Sequence, residues 1–168
     1  MSERSRIITW GDPHEIAKAA RGLSGREFLE GMRDGRIDPP PFAAAMGMLL
    51  VGVGDGRVTF TLEPQEFLYN GIALVHGGAT ATLCDSAIGC AILSLLEPGH
   101  AAVTLDLAVR YFKPITKATG VVRCEGITIN RGRTTATAEA RVVDAAGRLY
   151  ASASSTCAIV AHRTPAVL

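Results

Sequence analysis

The sequence is poor in aromatic residues and carries almost no net charge. Phe, Trp and Tyr make up 5% of its 168 residues, and the formal net charge at pH 7 is +1. Proteins that bind nucleic acid need a basic surface or aromatic side chains on which bases stack. A nearly neutral chain also gives no reason to expect attraction to a charged membrane surface. We therefore expect neither nucleic acid nor a membrane among its partners.

The motifs of several enzyme and metal-site classes are missing as well. The sequence contains no GxSxG, no P-loop and no HExxH. The GxGxG from Gly52 to Gly56 lies within a strand pattern rather than between a strand and a helix, so we do not expect dinucleotide binding. The four cysteines lack CxxC and Cys/His spacing, which favours small, buried, reduced side chains. We expect no metal and no redox cofactor.

Signals for secretion and for membrane insertion are also absent. The N-terminus has no charged region followed by an apolar run and a cleavage site, so we expect a cytoplasmic protein. Residues 72–96 approach the length of a membrane span, but His76 and Asp85 lie inside this segment and no Lys or Arg anchors either end. The pattern indicates a buried helix instead.

This helix, between His76 and Leu96, is apolar on all sides and contains a single carboxylate, Asp85. A buried ionised carboxylate is unfavourable unless it is paired or used in chemistry. Asp85 is therefore either a functional acid or a structural one that hydrogen-bonds the hydroxyl of Thr82 or Ser86. At the predicted start of the helix, Gly77 and Gly78 leave backbone N–H groups accessible to a ligand. Such donors, together with the helix dipole, stabilise an oxyanion.

The remaining pattern is mostly that of strands. A hairpin is predicted from Met48 to Leu62 with its turn at Asp55-Gly56, and strands are predicted at 102–111, 120–130, 133–144 and 149–160. In the first of these, Thr104 and Arg110 belong to a polar face that is expected to lie away from the core. Residues 1–41 form a separate N-terminal extension, in which Ser24 and Glu27 predict a capped helix. That helix lies over the core or the pocket mouth, or it is a solvated accessory helix.

The stretches NGIALVHGGATATLCDSAIGCA and VTLDLAVRYFKP resemble the hotdog-fold acyl-CoA thioesterases of the phenylacetate-degradation (PaaI) and hydroxybenzoyl-CoA type. The resemblance covers roughly residues 40–161. It implies an α+β hotdog fold, in which an antiparallel sheet wraps around one long central helix. The predicted division is an extension at 1–41, the hotdog thioesterase domain at 42–161 and a tail at 162–168.

The resemblance also implies roles for individual residues. Asp85 is the nucleophile or general base, and the N–H of Gly77, next to His76, polarises the thioester carbonyl. Asn70 helps to place the substrate or water, and Thr104 assists the acid. Contacts to the substrate are expected from a further set: Gly78, Arg110, Arg131, Gly132 and Arg133.

The spacing of Gly77 and Asp85 predicts a shared site. Eight residues along a helix correspond to about 12 Å, so one thioester carbonyl cannot touch both positions in one chain. We expect a homodimer, or a dimer of dimers forming a homotetramer. The resemblance further implies that the strand at 102–111 pairs with its twin in the other chain. The prediction is thus an acyl-CoA thioesterase; a non-catalytic acyl-CoA binding or regulatory module is the alternative. The acyl group, aryl or medium-chain, stays open.

Overall fold

The computed structural model describes residues 3–161, so the predicted tail at 162–168 lies outside the described residues. A long helix and seven strands make up the main body. The helix, α4, spans Gly77–Leu93. The strands are β1 Met48–Gly54, β2 Arg57–Leu62, β3 His100–Thr104, β4 Ala108–Tyr111, β5 Val122–Arg131, β6 Thr135–Val143 and β7 Leu149–Ala161.

All strands belong to one antiparallel sheet. Their order is β1-β2-β5-β6-β7-β3, and β4 also pairs with β7, so that β3 and β4 lie end to end along the same edge. The hairpin turn at Asp55-Gly56 falls between β1 and β2 as predicted, with Gly56 at a φ of 68°. The predicted strands after residue 120 correspond to β5, β6 and β7. The expected arrangement, an antiparallel sheet around one long helix, is confirmed.

Helix α4 occupies the core and packs against β2, β5, β6 and β7. Leu83, Ile88 and Ile92 are completely buried, as expected for a helix without a polar face. The helix backbone meets the sheet at Gly126 of β5, where a Cβ atom would collide with the backbone of Ala87. This glycine fixes how closely the helix approaches the sheet and therefore where its side chains emerge.

The N-terminal extension contains more helix than the sequence predicted. The capped helix is present as α2, Gly25–Arg33, with the reciprocal hydrogen bonds of Ser24 and Glu27. Two further helices were not predicted, α1 at Pro13–Gly22 and α3 at Pro41–Met46. Each has proline in its first turn, where a missing N–H costs no helical hydrogen bond. Since α3 crosses the predicted boundary at residues 41 and 42, the domain division stays a prediction.

The edge strand differs from the prediction in two respects. The continuous strand expected at 102–111 is interrupted between β3 and β4, because Asp106 takes hydrogen bonds from β7: its carboxylate accepts the N–H of Thr156 at 3.1 Å. Thr104 of the predicted polar face is exposed as expected, and its hydroxyl reaches Asp85 of α4. Val103 and Leu105, on the opposite face, are also 49% and 62% exposed, so an apolar surface lies along this edge.

No helix within residues 3–161 is both long and apolar enough to cross a membrane. Helix α4 corresponds to the segment whose sequence approached the length of a membrane span. It has 17 residues and lies in the core. The cytoplasmic location stays a prediction.

Asp144 organises the turn between β6 and β7. Its carboxylate accepts the N–H groups of Ala146 and Arg148, the guanidinium of Arg148 at 2.6 Å and the hydroxyl of Tyr150. Burial opposes the ionisation of Asp144, but the hydrogen bonds from Arg148 and Ala146 outweigh it and lower the pKa of this carboxyl. The charged form is therefore the one that the folded protein stabilises.

We predict that Asp144→Asn lowers the melting temperature at pH 7. A lowered pKa in the folded state stabilises the protein above the pKa of the unfolded state, about 4 for Asp, and this stability is lost as the pH falls through the folded-state pKa. The difference between wild type and variant should shrink accordingly in melting curves recorded from pH 7 to pH 3. Glu139→Gln, on an exposed position of β6, serves as the control. A difference that does not change with pH would contradict the prediction.

Candidate active site

Asp85 and Thr104 meet between the central helix and the edge of the sheet. The Thr104 hydroxyl, at the last position of β3, donates a hydrogen bond to Oδ1 of Asp85 at 2.8 Å. Asp85 is partly exposed, and both residues line the same cavity. Within the described residues, neither Thr82 nor Ser86 hydrogen-bonds this carboxylate. With Oδ1 held by Thr104, Oδ2 is the oxygen available to a ligand.

The start of α4 offers one free backbone donor. His76 is the N-cap residue, and its Nδ1 accepts the N–H of Gly78 at 2.8 Å. The N–H of Gly78 is therefore engaged, so a contact of Gly78 with substrate would have to use another part of the residue and stays a prediction. The N–H of Gly77 forms no hydrogen bond within residues 3–161. It is the donor that points to an oxyanion position at this helix terminus.

Tyr111 fixes the glycine pair and was missed by the sequence analysis. Its hydroxyl donates to the carbonyl oxygen of Gly77 at 2.9 Å, and burial raises the pKa of this phenol, which keeps it a donor. The peptide that joins Gly77 to Gly78 is thus held at both ends, by Tyr111 at its oxygen and by His76 at its N–H. Only the fold could reveal this, because Tyr111 and Gly77 are 34 residues apart in sequence.

Asn70 belongs to the turn that precedes the helix. Its side-chain oxygen accepts the N–H groups of Ile72 at 3.0 Å and Leu74 at 3.2 Å. Its side-chain NH₂ group donates to no other residue in the described part of the chain. Asn70 and Gly77 line one cavity of about 350 Å³, together with Tyr111. The amide nitrogen is thus the part of Asn70 that remains for a substrate or a water molecule.

The two groups of site residues lie in different cavities of one chain. Asp85 and Thr104 line a cavity of about 530 Å³, whereas Gly77 and Asn70 line the smaller one. Both cavities border the same sheet edge: β3 brings Thr104 to Asp85, and β4 brings Tyr111 to Gly77. The chain therefore presents the two groups of residues at opposite ends of one edge.

The predicted substrate-contacting cations are exposed and separate. Arg110 lies on β4, next to Tyr111 and hence at the Gly77 end of the edge. Arg131 lies in the same cross-strand row as Thr104, three strands away, which corresponds to about 14 Å. Gly132 closes the turn after β5 by donating to the carbonyl oxygen of Thr135 at 2.8 Å, and Arg133 follows it. Their contact with substrate stays a prediction.

Three of the four cysteine thiols have a raised pKa, which keeps them protonated and poorly reactive. Burial, and then the charge of Asp85, raises the pKa of Cys90 to about 12. A hydrogen bond with Cys84 and burial raise the pKa of Cys124, and burial raises that of Cys157. All four cysteines are free, as expected from their spacing. No group of three or more His, Cys, Asp or Glu side chains within residues 3–161 could hold a metal ion.

Comparison with known proteins identifies the family. The model of the thioesterase superfamily matches residues 73–151, which include the glycine pair, Asp85 and both edge strands. A Halobacterium salinarum protein assigned as an esterase is 33% identical over 112 residues, which are 64% of this chain and 72% of that protein. The chain belongs to the thioesterase superfamily. Human acyl-coenzyme A thioesterase 13, a further relative, is 29% identical over 133 residues, 78% of this chain and 91% of the human protein.

Solved structures agree with this assignment. The Escherichia coli PaaI protein of the phenylacetic acid degradation operon has a TM-score of 0.70 at 19% identity, over 82% of this chain and 96% of that one. A Streptococcus mutans protein solved with bound acetyl-CoA has a TM-score of 0.61 at 28% identity, over 68% of this chain and 90% of its own. The hotdog fold of a PaaI-like thioesterase is confirmed. As a member of this superfamily, the chain is a thioester hydrolase.

We predict that the native thioesterase reacts slowly with dithionitrobenzoate at pH 8. Only a thiolate attacks this reagent, and a pKa of about 12 leaves about one Cys90 thiol in 10,000 ionised at that pH. All four cysteines should react once the protein is unfolded. The measurement is absorbance over time with and without denaturant, and Cys90→Ala shows which signal belongs to Cys90. Rapid labelling of one thiol in the native chain would contradict the prediction.

Proposed function

We propose that the protein hydrolyses an acyl-CoA thioester to the free acid and CoA. The hydrogen bond from Thr104 to Asp85 carries this proposal, because it holds one carboxylate oxygen and leaves the other free beside a cavity. The name of the human relative, an acyl-coenzyme A thioesterase, and the acetyl-CoA bound to the S. mutans protein support CoA as the leaving thiol. No metal or redox cofactor is needed for this reaction.

In this mechanism the N–H of Gly77 donates to the thioester oxygen as negative charge develops on it. Asp85 either attacks the carbonyl carbon through Oδ2 or takes a proton from a water molecule that attacks it. The C–S bond then breaks, and the CoA thiolate leaves and takes up a proton. If Asp85 attacks the carbonyl carbon directly, the product is a mixed anhydride between Asp85 and the acyl group, and water then hydrolyses this anhydride. Tyr111 and His76 act as positioning residues that hold the Gly77-Gly78 peptide.

The carbonyl must lie between two chains if both groups act on it. Gly77 and Asp85 are eight residues apart on α4, or about 12 Å along its axis. Twofold antiparallel pairing of the edge, centred between Leu107 and Ala108, would bring Thr104 of each chain opposite the Tyr111 position of the other. Each Asp85 half-site would thereby meet a Gly77 half-site, which gives two complete sites per dimer.

The surface of this edge favours such pairing. Val103, Leu105 and Tyr111 are 49%, 62% and 53% exposed in the single chain, and Phe112 is 52% exposed. An edge strand with large exposed apolar side chains is normally covered by another chain. A dimer through this edge therefore buries the surface that the isolated chain leaves open, and a dimer of dimers remains compatible with it.

Several cations are available for the CoA phosphates. Arg110 and Lys113 flank Tyr111, and Lys113 lines the cavity that contains Gly77 and Asn70. Guanidinium groups bind phosphate in a bidentate manner, which suits Arg110 as well as Arg131 and Arg133. We assign these cations to binding and orientation of the CoA phosphates rather than to the chemistry at Asp85.

We predict that Asp85→Asn loses turnover by about 100-fold or more while the fold and CoA-ester binding persist. An amide is neither nucleophile nor base, yet its oxygen accepts the hydrogen bond of Thr104. Thiol release from acyl-CoA measures turnover, and melting curves verify the fold. Asp106→Asn is the matched control, since the amide oxygen keeps the hydrogen bond to Thr156.

Near wild-type turnover in folded Asp85→Asn would contradict the mechanism. Binding without turnover in the wild type would favour a regulatory module.

We predict that inactive Asn70→Asp and Asp85→Asn chains rescue each other in a mixed dimer. Aspartate keeps the oxygen that accepts the N–H groups of Ile72 and Leu74 but loses the NH₂ donor, so the turn is preserved. In a mixed dimer one site collects both changes and the other collects none. Random pairing gives about half mixed dimers, and the pool should recover about a quarter of wild-type activity.

The experiment requires two different affinity tags, joint refolding and purification of the mixed dimer. Each variant is first assayed alone to establish that it is nearly inactive. Thiol release by the purified mixed dimer should reach about half of the wild-type rate, because one of its two sites is intact. A mixed dimer no more active than its parents would mean that each site lies within one chain.

A further inference from the structure

An apolar cavity next to Asp85 is enclosed partly by the N-terminal extension. Its volume is about 530 Å³, which is within the range for a small-molecule pocket. Asp85 and Thr104 lie at one side, and Met32 and Pro39 of the extension, together with Phe42 of α3, line another. We propose that this cavity receives the acyl chain of the substrate, and that Gly89 and the extension determine which chain lengths are accepted. This inference rests on the proposed thioesterase function.

The lining favours a hydrocarbon over a charged or polar acyl group. Asp85, Ser86 and Thr104 form one polar group around the proposed reaction centre, and the only other charged residue of the lining is Arg33. The Arg33 guanidinium is already engaged with Asp34 at 2.8 Å, a carboxylate that it shares with Arg36. The rest of the lining is aliphatic, aromatic, proline, glycine or cysteine. A carboxylate or ring hydroxyl beyond the reaction centre would find no partner and would lose its hydration.

A second cavity adjoins the first. Its volume is about 250 Å³, and it shares Pro40, Leu93 and Ala101 with the first cavity. Its other walls come mainly from α1 and α2, including Ile16 and Phe28, and its lining contains no Asp, Glu, Lys or Arg. Two apolar cavities in sequence fit a flexible aliphatic chain better than a single aromatic ring. We therefore assign the substrate to the unsubstituted fatty acyl thioesters.

Gly89 occupies the position on α4 that controls entry into this space. It lies four residues after Asp85, one helical turn or about 6 Å further along the axis, and lines the same cavity. A Cβ atom at Gly89 would have no atom within 4 Å, so the space beside it is open. Glycine destabilises the interior of a helix relative to alanine. Gly89 therefore does not stabilise the helix, and we attribute its presence to the space that it leaves for a ligand in the cavity.

The test compares Gly89→Leu with Gly89→Ala. Both residues suit a helix, and a Cβ atom at this position meets nothing within 4 Å, but only leucine is long enough to extend into the cavity. Thiol release is measured with acetyl-, butanoyl-, octanoyl- and dodecanoyl-CoA. In the wild type and in Gly89→Ala, kcat/KM should rise by up to about fourfold per buried methylene. In Gly89→Leu this rise should stop at a short chain, with dodecanoyl-CoA at least about tenfold poorer and acetyl-CoA unchanged.

A second variant examines the extension. Phe42 is 62% exposed, so Phe42→Ala should fold, and melting curves verify this for all variants. Loss of this wall should lower kcat/KM for the longer chains and leave acetyl-CoA unchanged. Equal profiles for Gly89→Leu and Gly89→Ala, or an equal loss at all chain lengths, would overturn the inference.

Dodecanoate binding separates failure of this inference from failure of the proposed function. The free acid should raise the melting temperature of wild type and Gly89→Ala but not of Gly89→Leu. If no acyl-CoA is hydrolysed and this difference persists, the proposed function fails and the cavity assignment stands. If acyl-CoA is hydrolysed and dodecanoate stabilises all three proteins equally, the cavity assignment fails and the thioesterase function stands.

Discussion

The close contact between α4 and β5 at Gly126 is the constraint on which the rest of the structure depends. No side chain separates the two backbones there, because a Cβ atom at this position would overlap the backbone of Ala87. Leu83 and Ile88 then fill the core on either side. With the helix fixed in this way, Asp85 comes out against Thr104 of the edge strand, and Gly89, one turn later, faces the apolar cavity. The position of the acid is thus a consequence of packing rather than of local loop geometry.

A rigid helix also explains why the proposed site is divided. Its N-terminus supplies a free N–H at Gly77, and its middle supplies a carboxylate, but the rise of the helix keeps them about 12 Å apart. The edge strands run alongside and support each end separately, through Tyr111 and through Thr104. Twofold symmetry is the simplest way to bring complementary ends together, since it completes both sites at once.

The sequence predicted the features that depend on short-range patterns. The buried helix, the hairpin at Asp55-Gly56 and the Ser24 cap follow from periodicity and turn chemistry over a few residues. Resemblance to a family supplied Thr104 as the partner of Asp85, which no local pattern could give. Tyr111 and the interruption of the edge at Asp106 were missed, because their hydrogen bonds join residues 34 and 50 positions apart. Helix α1 was missed because it has few apolar residues and none that is fully buried.

The proposed chemistry and the proposed selectivity fall in different parts of the chain. Gly77, Asp85 and Thr104 lie within residues 73–151, the part that matches the family model. Met32 of α2, Phe42 of α3 and Pro39 between these helices lie well before it. Helix α2 meets the main body at β1 and α4, and α3 meets it at β1. An extension that touches the cavity but not the reacting carbonyl can change without disturbing the oxyanion donor or the acid. On these proposals, substrate choice would be separable from catalysis, although Gly89 and Asp85 line the same cavity one helical turn apart.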